Sequence, residues 1–300
     1  MDIGRVIGGG FRLLREKPAA VAVWGLLYML AVVGMTLLMR PFMTTQMQAI
    51  GGDPQAALAN MGATMGRLFL FGLIFFVLYV VLMTAAQRAV LQPERRGFFY
   101  LRLGMDELRL LALTFIFVIG FYIGLVVVAI VLSLIIGLLA AATGSFGLAA
   151  GLMFVEFIAM FGFVVWFCTR FALAFPLTLL RGKIIIGEAW RITRGRFWQL
   201  FAAFLVVFLI MIVLFTILSV ATNGGYFAQL ARSGSDPVAV QRAMQQQMAD
   251  QFGAINAMMV IRWILSGLVG GLVVAIWGGT VATAARELTV NVDEIAETFA

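Results

Sequence analysis

The feature that most constrains this chain is a series of long apolar segments separated by short clusters of arginine and lysine. A helix needs about 20 apolar residues to cross the hydrocarbon core of a bilayer. The 60 residues between Arg109 and Arg170 carry a single charge, Glu156, so this stretch must hold two helices that turn near residues 143–147. The sequence therefore predicts six spans: about 18–39, 68–87, two within 110–169, 198–222 and 264–285.

The composition excludes the other broad classes of protein. Hydrophobic residues make up 63% of the 300 residues and charged residues 12%, whereas a soluble domain is roughly half apolar and about a quarter charged. So few polar side chains cannot cover a water-facing surface. A soluble protein, a disordered chain and a disulfide scaffold are therefore excluded, and a polytopic, all-α integral membrane protein remains.

The sequence offers little catalytic or metal-binding chemistry. It has no histidine, and its one cysteine, Cys168, lies inside an apolar run, so neither a disulfide within the chain nor a thiolate or imidazole metal site is expected. The acidic residues that lie among arginines are interpreted as ion-paired rather than catalytic: Glu94, Asp106, Glu107 and Glu188. We expect a protein that is not an enzyme and that holds no cofactor or metal.

The basic residues are distributed by membrane topology. Counted on alternating sides of the predicted spans, the side that carries the N-terminus holds sixteen lysines and arginines and the opposite side five. Because short cytoplasmic segments are enriched in these residues, both termini are predicted to lie in the cytoplasm. The net charge of +7 therefore does not indicate nucleic-acid binding, for which we would expect a basic stripe alternating with exposed aromatic residues.

An internal repeat of about ninety residues organises the chain. Arg12, Arg102 and Arg191 precede the first, third and fifth spans and are spaced by 90 and 89 residues. The even-numbered spans each end with an arginine at the cytoplasmic edge: Arg88, Arg170 and Arg286. We interpret the chain as one membrane domain, 1–300, of three units, about 1–96, 97–183 and 184–300, each an amphipathic interfacial helix followed by a two-helix hairpin. The alternative is a coincidence between similar apolar strings.

The two longer loops, about 40–67 and 223–262, are predicted to lie on the outer face and to match each other. They share residue types at an offset of 183 positions: Gln46, Gly51, Asp53 and Pro54 in the first, and Gln229, Gly234, Asp236 and Pro237 in the second. Aspartate followed by proline suits the N-cap and first position of a helix, so each loop should carry a short helix. The second helix should have one apolar face, formed by residues four apart: Val240, Met244, Met248 and Phe252.

Two neighbouring segments resemble a known bacterial family. They read AFPLTLLRGK at 174–183 and GEAWRITRGRFW at 187–198. This pattern resembles the glycerophosphoryl diester phosphodiesterase membrane domain and its stand-alone relatives, and the six-span layout extends the likeness loosely over the whole chain. The resemblance implies a multi-pass module of the bacterial inner (plasma) membrane. Fifteen residues follow Ala285, so the soluble phosphodiesterase domain of fused family members is expected to be absent, and no catalytic residue is carried over.

The segments that precede the odd-numbered spans are basic and aromatic, which is typical of helices in the membrane interface. Each basic residue near an anionic leaflet contributes about 1 kcal/mol. Two interpretations stay open: specific recognition of lipid headgroups, or anchoring that follows from membrane topology alone. The candidate interface residues are Arg12, Arg15, Arg102, Trp190, Arg191, Arg194, Arg196 and Trp198.

Glu156 is the one acidic residue deep inside a predicted span. An ionised carboxylate there is costly, so it should face the bundle interior, be protonated or have a polar partner. Arg170 lies fourteen residues along the same helix, and this separation of roughly 21 Å is too large for pairing. Glu156 is therefore either a proton-coupling or substrate-binding residue of a transporter, or a structural carboxyl group hydrogen-bonded to a neighbouring helix or water.

The sixth span carries small residues at every fourth position: Gly267, Gly271, Ala275 and Gly279. Small residues at this spacing let helix backbones approach closely in a membrane. The stripe is interpreted as a packing surface, either within the chain or between two copies of it.

Two classes of function follow from these features. In the first, the protein binds or moves an amphiphilic or lipid-like molecule, which Glu156, the long third and fourth spans and the basic aromatic segments favour. In the second, it is a scaffold or accessory subunit that docks partner proteins through its cytoplasmic helices. Membrane lipids are the expected partners, with a membrane-protein partner or a second copy of the chain left open. A cavity lined by Glu156 would favour the first class, and a locally satisfied Glu156 the second.

Overall fold

The computed structural model describes residues 2–49, 54–95, 97–144, 146–234 and 236–298, and within them the chain consists of α-helices and short connections. The helices are α1 (Ile3–Glu16), α2 (Pro18–Ala49), α3 (Pro54–Leu91), α4 (Met105–Thr143), α5 (Phe146–Phe171), α6 (Ala174–Arg181), α7 (Gly187–Thr193), α8 (Phe197–Ser233), α9 (Pro237–Phe252) and α10 (Ala257–Thr298). One turn of 3-10 helix, Phe98–Tyr100, lies between α3 and α4.

Six of these helices are long and apolar enough to cross a membrane, which makes the protein a multi-pass α-helical membrane protein and confirms the predicted number of spans. The predicted hairpin between the third and fourth spans is also present. α4 ends at Thr143, Gly144 adopts a left-handed conformation with φ of 61°, and α5 begins at Phe146. Ser145, in the middle of the predicted turn, lies outside the described residues. The apolar segments are Pro18–Met43, Met65–Leu91, Phe98–Thr143, Gly151–Arg181, Phe197–Ser233 and Ala257–Thr289.

The two predicted outer loops differ from each other. In the first, α2 continues to Ala49 and α3 runs without interruption from Pro54 to Leu91. The expectation of a separate short helix in this loop is therefore wrong: a helix begins at Pro54, as the proline suggests, but it continues through Gly62 and Gly66 into the second span without a break. Gly51 and Asp53, on which the match between the loops rested, lie outside the described residues. In the second loop the expectation is confirmed, because α9 is a separate helix.

The sequence around α9 explains its bounds. α8 continues past its predicted end at residue 222 as far as Ser233, and the chain then turns at Gly234, whose φ is 55°. The Asp236 side chain accepts a hydrogen bond from the Val238 N–H at 3.0 Å, as expected of an N-cap, and Pro237 occupies the first helical position. Asp236 thus satisfies an N–H that has no partner inside the helix, and Pro237 has no N–H that would need one.

The segments before the odd-numbered spans are not the three helices that the repeat predicts. α1 is a full helix and α7 a short one, but the middle segment is not helical: residues 101–104 follow the 3-10 turn in a non-helical conformation. The reason lies at the start of α4, where the Glu107 side chain accepts the Gly104 N–H at 3.1 Å. This capping interaction starts the helix at Met105 and leaves Arg102 outside it.

The chain divides into two compact units. We call Ile7–Arg102 with Leu205–Thr280 the α2–α3 unit, and Met1–Val6 with Leu103–Phe204 and Val281–Ala300 the α4–α5 unit. The core of the α2–α3 unit buries Trp24 among small residues of α3 and α10, including Ala85, Ala86 and Ala275. The three repeat units near 1–96, 97–183 and 184–300 stay a prediction.

The α4–α5 unit is held together along its hairpin by aromatic rings. Phe117 and Phe121 of α4 contact rings of α5, with centroids 5.0–6.1 Å apart. Gly124 allows this contact, because a side chain there would lie 2.7 Å from the Phe163 ring. Elsewhere the hairpin exposes large apolar side chains. In the most apolar 18-residue stretch of each of its two spans, no described residue is buried.

Candidate ligand-binding site

A pocket lies between α2, α8, α9 and α10 within the α2–α3 unit. Its volume is about 480 Å³, which falls in the range of about 300–1,000 Å³ that small-molecule sites occupy. We call it the α9 pocket. Its lining combines apolar side chains, including Val32, Phe215, Leu218 and Trp263, with the polar side chains of Thr222, Asn223, Gln251 and Arg262.

The lining side chains that carry amide or guanidinium groups, Asn223, Gln251 and Arg262, lie at the α9 end of the pocket. Hydroxyl side chains also line it on the other helices: Thr36, Ser219 and Ser266. Along α8, Phe215 and Leu218 come before Thr222 and Asn223, and the helix rises roughly 12 Å between Phe215 and Asn223. A second cavity of about 310 Å³ shares Thr222, Asn223 and Arg262 with the first. The α9 pocket therefore has a largely apolar end, which serine and threonine hydroxyls also line, and a polar end with the amides and the guanidinium that continues into the second cavity.

Amide side chains join α9 to α8 at the polar end. Asn223 Oδ1 accepts hydrogen bonds from Gln247 Nε2 at 2.6 Å and from Gln251 Nε2 at 3.5 Å. Asn223 Nδ2 donates to Thr222 Oγ1 at 2.9 Å, and that hydroxyl donates to the Leu218 carbonyl at 2.8 Å. These bonds hold the wall of the pocket in one arrangement.

Two arginines from different helices hold the C-terminal turn of α9. Arg40 Nε of α2 donates to the Phe252 carbonyl at 3.1 Å. Arg262 of α10 donates from Nε to the Thr222 carbonyl at 3.0 Å and from Nη1 to the Asp250 carbonyl at 3.4 Å. The last carbonyls of a helix have no partner inside it and carry partial negative charge, so cationic donors stabilise α9 in this position.

The prediction of which residues form the buried face of α9 is wrong. The partly or fully buried face contains Val240, Ala243, Gln247 and Gln251, whereas Met244 and Met248 are 47% and 41% exposed. Positions four apart advance by about 40° around a helix at each step, so the four predicted residues form a winding stripe rather than one face. Of the four residues, only Val240 and Phe252, at the two ends of the stripe, are partly buried.

The residues of the α9 pocket were not found from the sequence. They come from helices that are distant along the chain, and Arg262 was counted only as a charge of an outer loop. One signal did exist: Arg262 stands between Ile261 and Trp263 inside the apolar segment Ala257–Thr289. A charge within a span is a candidate functional residue by the same reasoning that selected Glu156.

Glu156 has a polar partner on the neighbouring helix. Ser133 of α4 donates its hydroxyl to Glu156 Oε1 at 2.8 Å, and both residues lie on the exposed α4–α5 hairpin. The residues that line the α9 pocket do not include Glu156. Of the two interpretations made from the sequence, this geometry corresponds to a structural carboxyl group hydrogen-bonded to a neighbouring helix.

Arg170, at the end of α5, contacts the short helix α7 that follows in the same unit. Its Nη1 donates to Thr193 Oγ1 at 3.2 Å, and its guanidinium lies 4.8 Å from the centre of the Trp190 ring. Trp190 also contacts Phe171 and Trp166. Trp190 thus packs against an aromatic and cationic cluster while 38% of its surface stays exposed.

Arg88, at the end of α3, has a comparable position in the other unit. It is buried, and its Nη1 donates to the Tyr100 carbonyl at 2.7 Å. Trp24 Nε1 donates to the adjacent Phe99 carbonyl at 3.1 Å. Phe99 and Tyr100 both have positive φ, 49° and 64°, a conformation that non-glycine residues adopt only when surrounding contacts hold them there. Arg286, the third arginine of this predicted series, is exposed.

The other candidate interface residues also lie at the surface. Arg12 forms an ion pair with Glu16 on the outside of α1 at 3.6 Å, while Val6 and Leu13 of the same helix are buried, so α1 is amphipathic as predicted. Trp198 is 76% exposed at the start of α8. The exposed arginines are Arg12, Arg15, Arg102, Arg191 and Arg194, and Arg196 is partly buried.

The small-residue stripe of α10 faces other helices of the same chain. A side chain at Gly271 would lie 2.8 Å from the Val21 carbonyl of α2, and one at Gly279 would lie 2.8 Å from the Gly10 backbone of α1. Gly267 is equally close to Gly25, and Ala275 is fully buried. These contacts correspond to the interpretation of the stripe as a packing surface within the chain.

Two of the acidic residues predicted to be ion-paired are so. Asp106 contacts Arg109 and Glu188 contacts Arg181, each at 3.2 Å. The Glu107 side chain also caps α4. Among the described residues, no three histidine, cysteine or acidic side chains lie close enough together to hold a metal ion.

The two ends of the chain meet within the α4–α5 unit. Arg5 Nε lies 3.3 Å from Glu287 Oε1, and the Asp2 N–H donates to Glu287 Oε2 at 3.3 Å. Hydrogen bonds from the Arg5 backbone and side chain hold the pKa of the Asp2 carboxyl below its usual value. A lowered carboxylate pKa means that this cap of α1 is present at neutral pH and is lost as acidification protonates Asp2.

Comparison of the chain with protein-family models, with curated proteins and with solved structures gives no match. The class to which the fold assigns the chain is that of multi-pass α-helical membrane proteins. The resemblance of residues 174–198 to the glycerophosphoryl diester phosphodiesterase membrane domain stays a prediction.

Proposed function

We propose that this chain is a non-enzymatic protein of the bacterial inner membrane that binds an amphiphilic or lipid-like molecule in the α9 pocket. In this proposal it crosses the membrane six times, both termini lie in the cytoplasm, and α9 lies on the outer side. The relation to the phosphodiesterase membrane-domain family is part of the same proposal and carries no catalytic residue.

The proposed topology is supported by charge and by the contact between the chain ends. Sixteen of the 21 lysines and arginines fall on the side assigned to the cytoplasm, as the positive-inside rule requires. The ion pair between Arg5 and Glu287 brings the two ends of the chain together, which agrees with an even number of crossings.

The observation that carries the proposed function is the division of the α9 pocket into an apolar and a polar end. An amphiphile needs a surface for its chain and hydrogen-bonding groups for its head, and the pocket supplies both within one volume. The basic, exposed side chains of α1 and α7 support contact with anionic lipids on the opposite face, through anchoring or headgroup binding.

Pocket filling tests this proposal. Purified protein in zwitterionic nanodiscs would be exposed to a photoactivatable dodecyl amphiphile, and labelled peptides would be mapped by mass spectrometry. We expect labelling of α8 and α10 around Phe215 and Trp263, reduced severalfold by Ser219→Phe, because Ser219 lines the pocket. The matched control is Thr216→Phe on the exposed side of the same helix, which should label like the wild type. Equal labelling of the two variants, at equal thermal stability, would contradict the proposal.

A scaffold function is the second candidate, and the α4–α5 hairpin favours it. Glu156 is already satisfied by Ser133, and large apolar side chains on both helices are exposed. In this alternative, other proteins dock on the hairpin or on the cytoplasmic helices. A photo-crosslinking amino acid at Phe157, 69% exposed beside Glu156, would then join the chain to one defined membrane protein in cells, whereas the same group at Leu26 of α2 would label lipid alone.

A further inference from the structure

We propose that the α9 pocket selects an amphiphile with an anionic head and a single apolar chain, and that Arg262 provides this selectivity. The inference rests on the proposed function and deepens it by naming the class of ligand. It follows from the positions of the charges and hydrogen-bond donors at the polar end of the pocket.

Arg262 carries the positive charge of this site. A guanidinium has five N–H donors, and the structure uses Nε for the Thr222 carbonyl and Nη1 for the Asp250 carbonyl. The remaining N–H groups belong to a side chain that lines both cavities. The two carbonyl bonds hold the guanidinium in place, so it needs little reorganisation to bind a carboxylate or phosphate.

The neighbouring amides supply both donors and acceptors, so they hydrogen-bond the head without selecting its charge. Asn223 Oδ1 already accepts from Gln247 and Gln251, so its acceptor capacity is used. Each of these three amides has two N–H groups, and one of each is engaged in the network described above. The preference for a head that accepts hydrogen bonds therefore comes from Arg262, whose guanidinium has donors only.

The acidic residue nearby limits where an anion can lie. Asp250 lines the smaller cavity, whereas no acidic residue appears among the described residues that line the larger one. An anionic head is therefore repelled from the smaller cavity and is best placed in the larger one, beside Arg262. This location also keeps the head next to the apolar end of the same pocket.

The largely apolar end of the pocket would hold the alkyl chain of the ligand. Away from Arg262 the lining is mostly apolar along α8 and α2, with Leu218, Phe215 and Val32, and its polar side chains there are the hydroxyls of Thr36 and Ser219. A volume of about 480 Å³ is in the lower half of the range for small-molecule sites. This size favours one apolar chain over the two chains of a diacyl lipid.

A headgroup series with one constant chain tests the inference. Dodecyl phosphate, dodecanoate, dodecylphosphocholine and dodecyl maltoside would compete with the photoactivatable dodecyl amphiphile on the wild-type protein in zwitterionic nanodiscs. We expect the two anionic competitors to bind about tenfold or more tightly than the maltoside, because hydrogen bonds to charged groups are stronger than neutral ones. Inorganic phosphate, which has no chain, should compete only weakly.

Three variants separate a direct role of Arg262 from an effect on α9. Arg262→Gln should remove the anionic preference, measured as the ratio of the affinities for dodecyl phosphate and dodecyl maltoside. Arg232→Gln, which changes an exposed arginine at the end of α8, should keep the preference. Arg40→Gln loosens the same turn of α9 without changing a residue that lines the pocket, and it should also keep the preference.

The possible failures are distinguishable. If all four dodecyl compounds compete equally, or if Arg40→Gln abolishes the preference as fully as Arg262→Gln does, the inference about the head is overturned and the proposed function stands. If inorganic phosphate competes as well as dodecyl phosphate, the site binds free anions and the requirement for a chain is overturned. If no amphiphile labels the pocket, the proposed function fails as well.

Discussion

At the level of single residues, side-chain donors that meet backbone carbonyls recur throughout the α2–α3 unit. Trp24 donates to Phe99, Arg40 to Phe252 and Arg262 to Thr222. A carbonyl that is shielded from water and has no donor costs free energy, because it loses its bond to water without replacing it. Each of these donors therefore determines where a connecting segment or a helix end can lie.

Replacing Trp24 tests this argument. Trp24→Phe removes the Nε1 donor from a fully buried position and leaves the Phe99 carbonyl without that bond. We expect a loss of about 1–3 kcal/mol of stability, measured as a lower thermal unfolding midpoint in detergent. Trp198→Phe changes the same residue type at a 76% exposed site and should leave the midpoint unchanged. Equal midpoints for the two variants would show that the Phe99 contact contributes nothing.

Glu156 gives a second prediction at this scale. In Glu156→Gln, the side-chain carbonyl oxygen can still accept the Ser133 hydroxyl. We expect the variant to accumulate, to unfold at the wild-type temperature and to bind amphiphile equally at pH 6 and pH 8. Loss of a pH-dependent activity in this variant, at normal protein level, would instead support the proton-coupling interpretation.

At the level of the helices, close backbone contact depends on glycine at a few positions. Gly271 faces α2 with no room for a methyl group, whereas Gly72 in α3 has no atom within 4 Å of the position that a side chain would occupy. The sequence does not distinguish the two positions, because both are glycines in apolar helices. Only the neighbouring helix decides which of them is required.

Alanine substitutions measure this difference. Gly271→Ala places a methyl group 2.8 Å from the Val21 carbonyl, and we expect a loss of about 1–3 kcal/mol through overpacking. Gly72→Ala should be neutral or stabilising, because alanine favours a helix over glycine by about 1 kcal/mol. Thermal unfolding checks both variants. A change in oligomeric state without a change in stability for Gly271→Ala would point to the interface between two copies instead.

At the scale of the whole molecule, orientation in the membrane is the property that all functional proposals share. The imbalance of sixteen against five basic residues predicts that a tag at either terminus is reached only from the cytoplasm. A cysteine introduced at the turn after α8, at Gly234, should react with a membrane-impermeant reagent added from outside in a Cys168→Ala background. Termini on opposite sides, or a reagent that reaches Gly234 only from inside, would contradict the topology.

The sequence by itself determined the class of protein, the six spans and the hairpin turn at Gly144, because these depend on local properties: the length of apolar runs and the backbone freedom of glycine. It also predicted the cap and start of α9 at Asp236 and Pro237, which depend on neighbouring residues alone. It failed at Arg102, which the repeat placed in an interfacial helix, because the Glu107 cap begins α4 at Met105 and leaves Arg102 outside it.

Only the tertiary structure decided what lines the α9 pocket, which face of α9 is buried and where the α10 glycines pack. Thr36, Asn223, Gln251 and Arg262 come from four helices, and no local pattern records that they face one volume. The hydrophobic effect drives apolar segments into the membrane, but it does not determine which helices pack against each other there. Close packing and directional hydrogen bonds make that distinction, and both act between residues far apart in the chain.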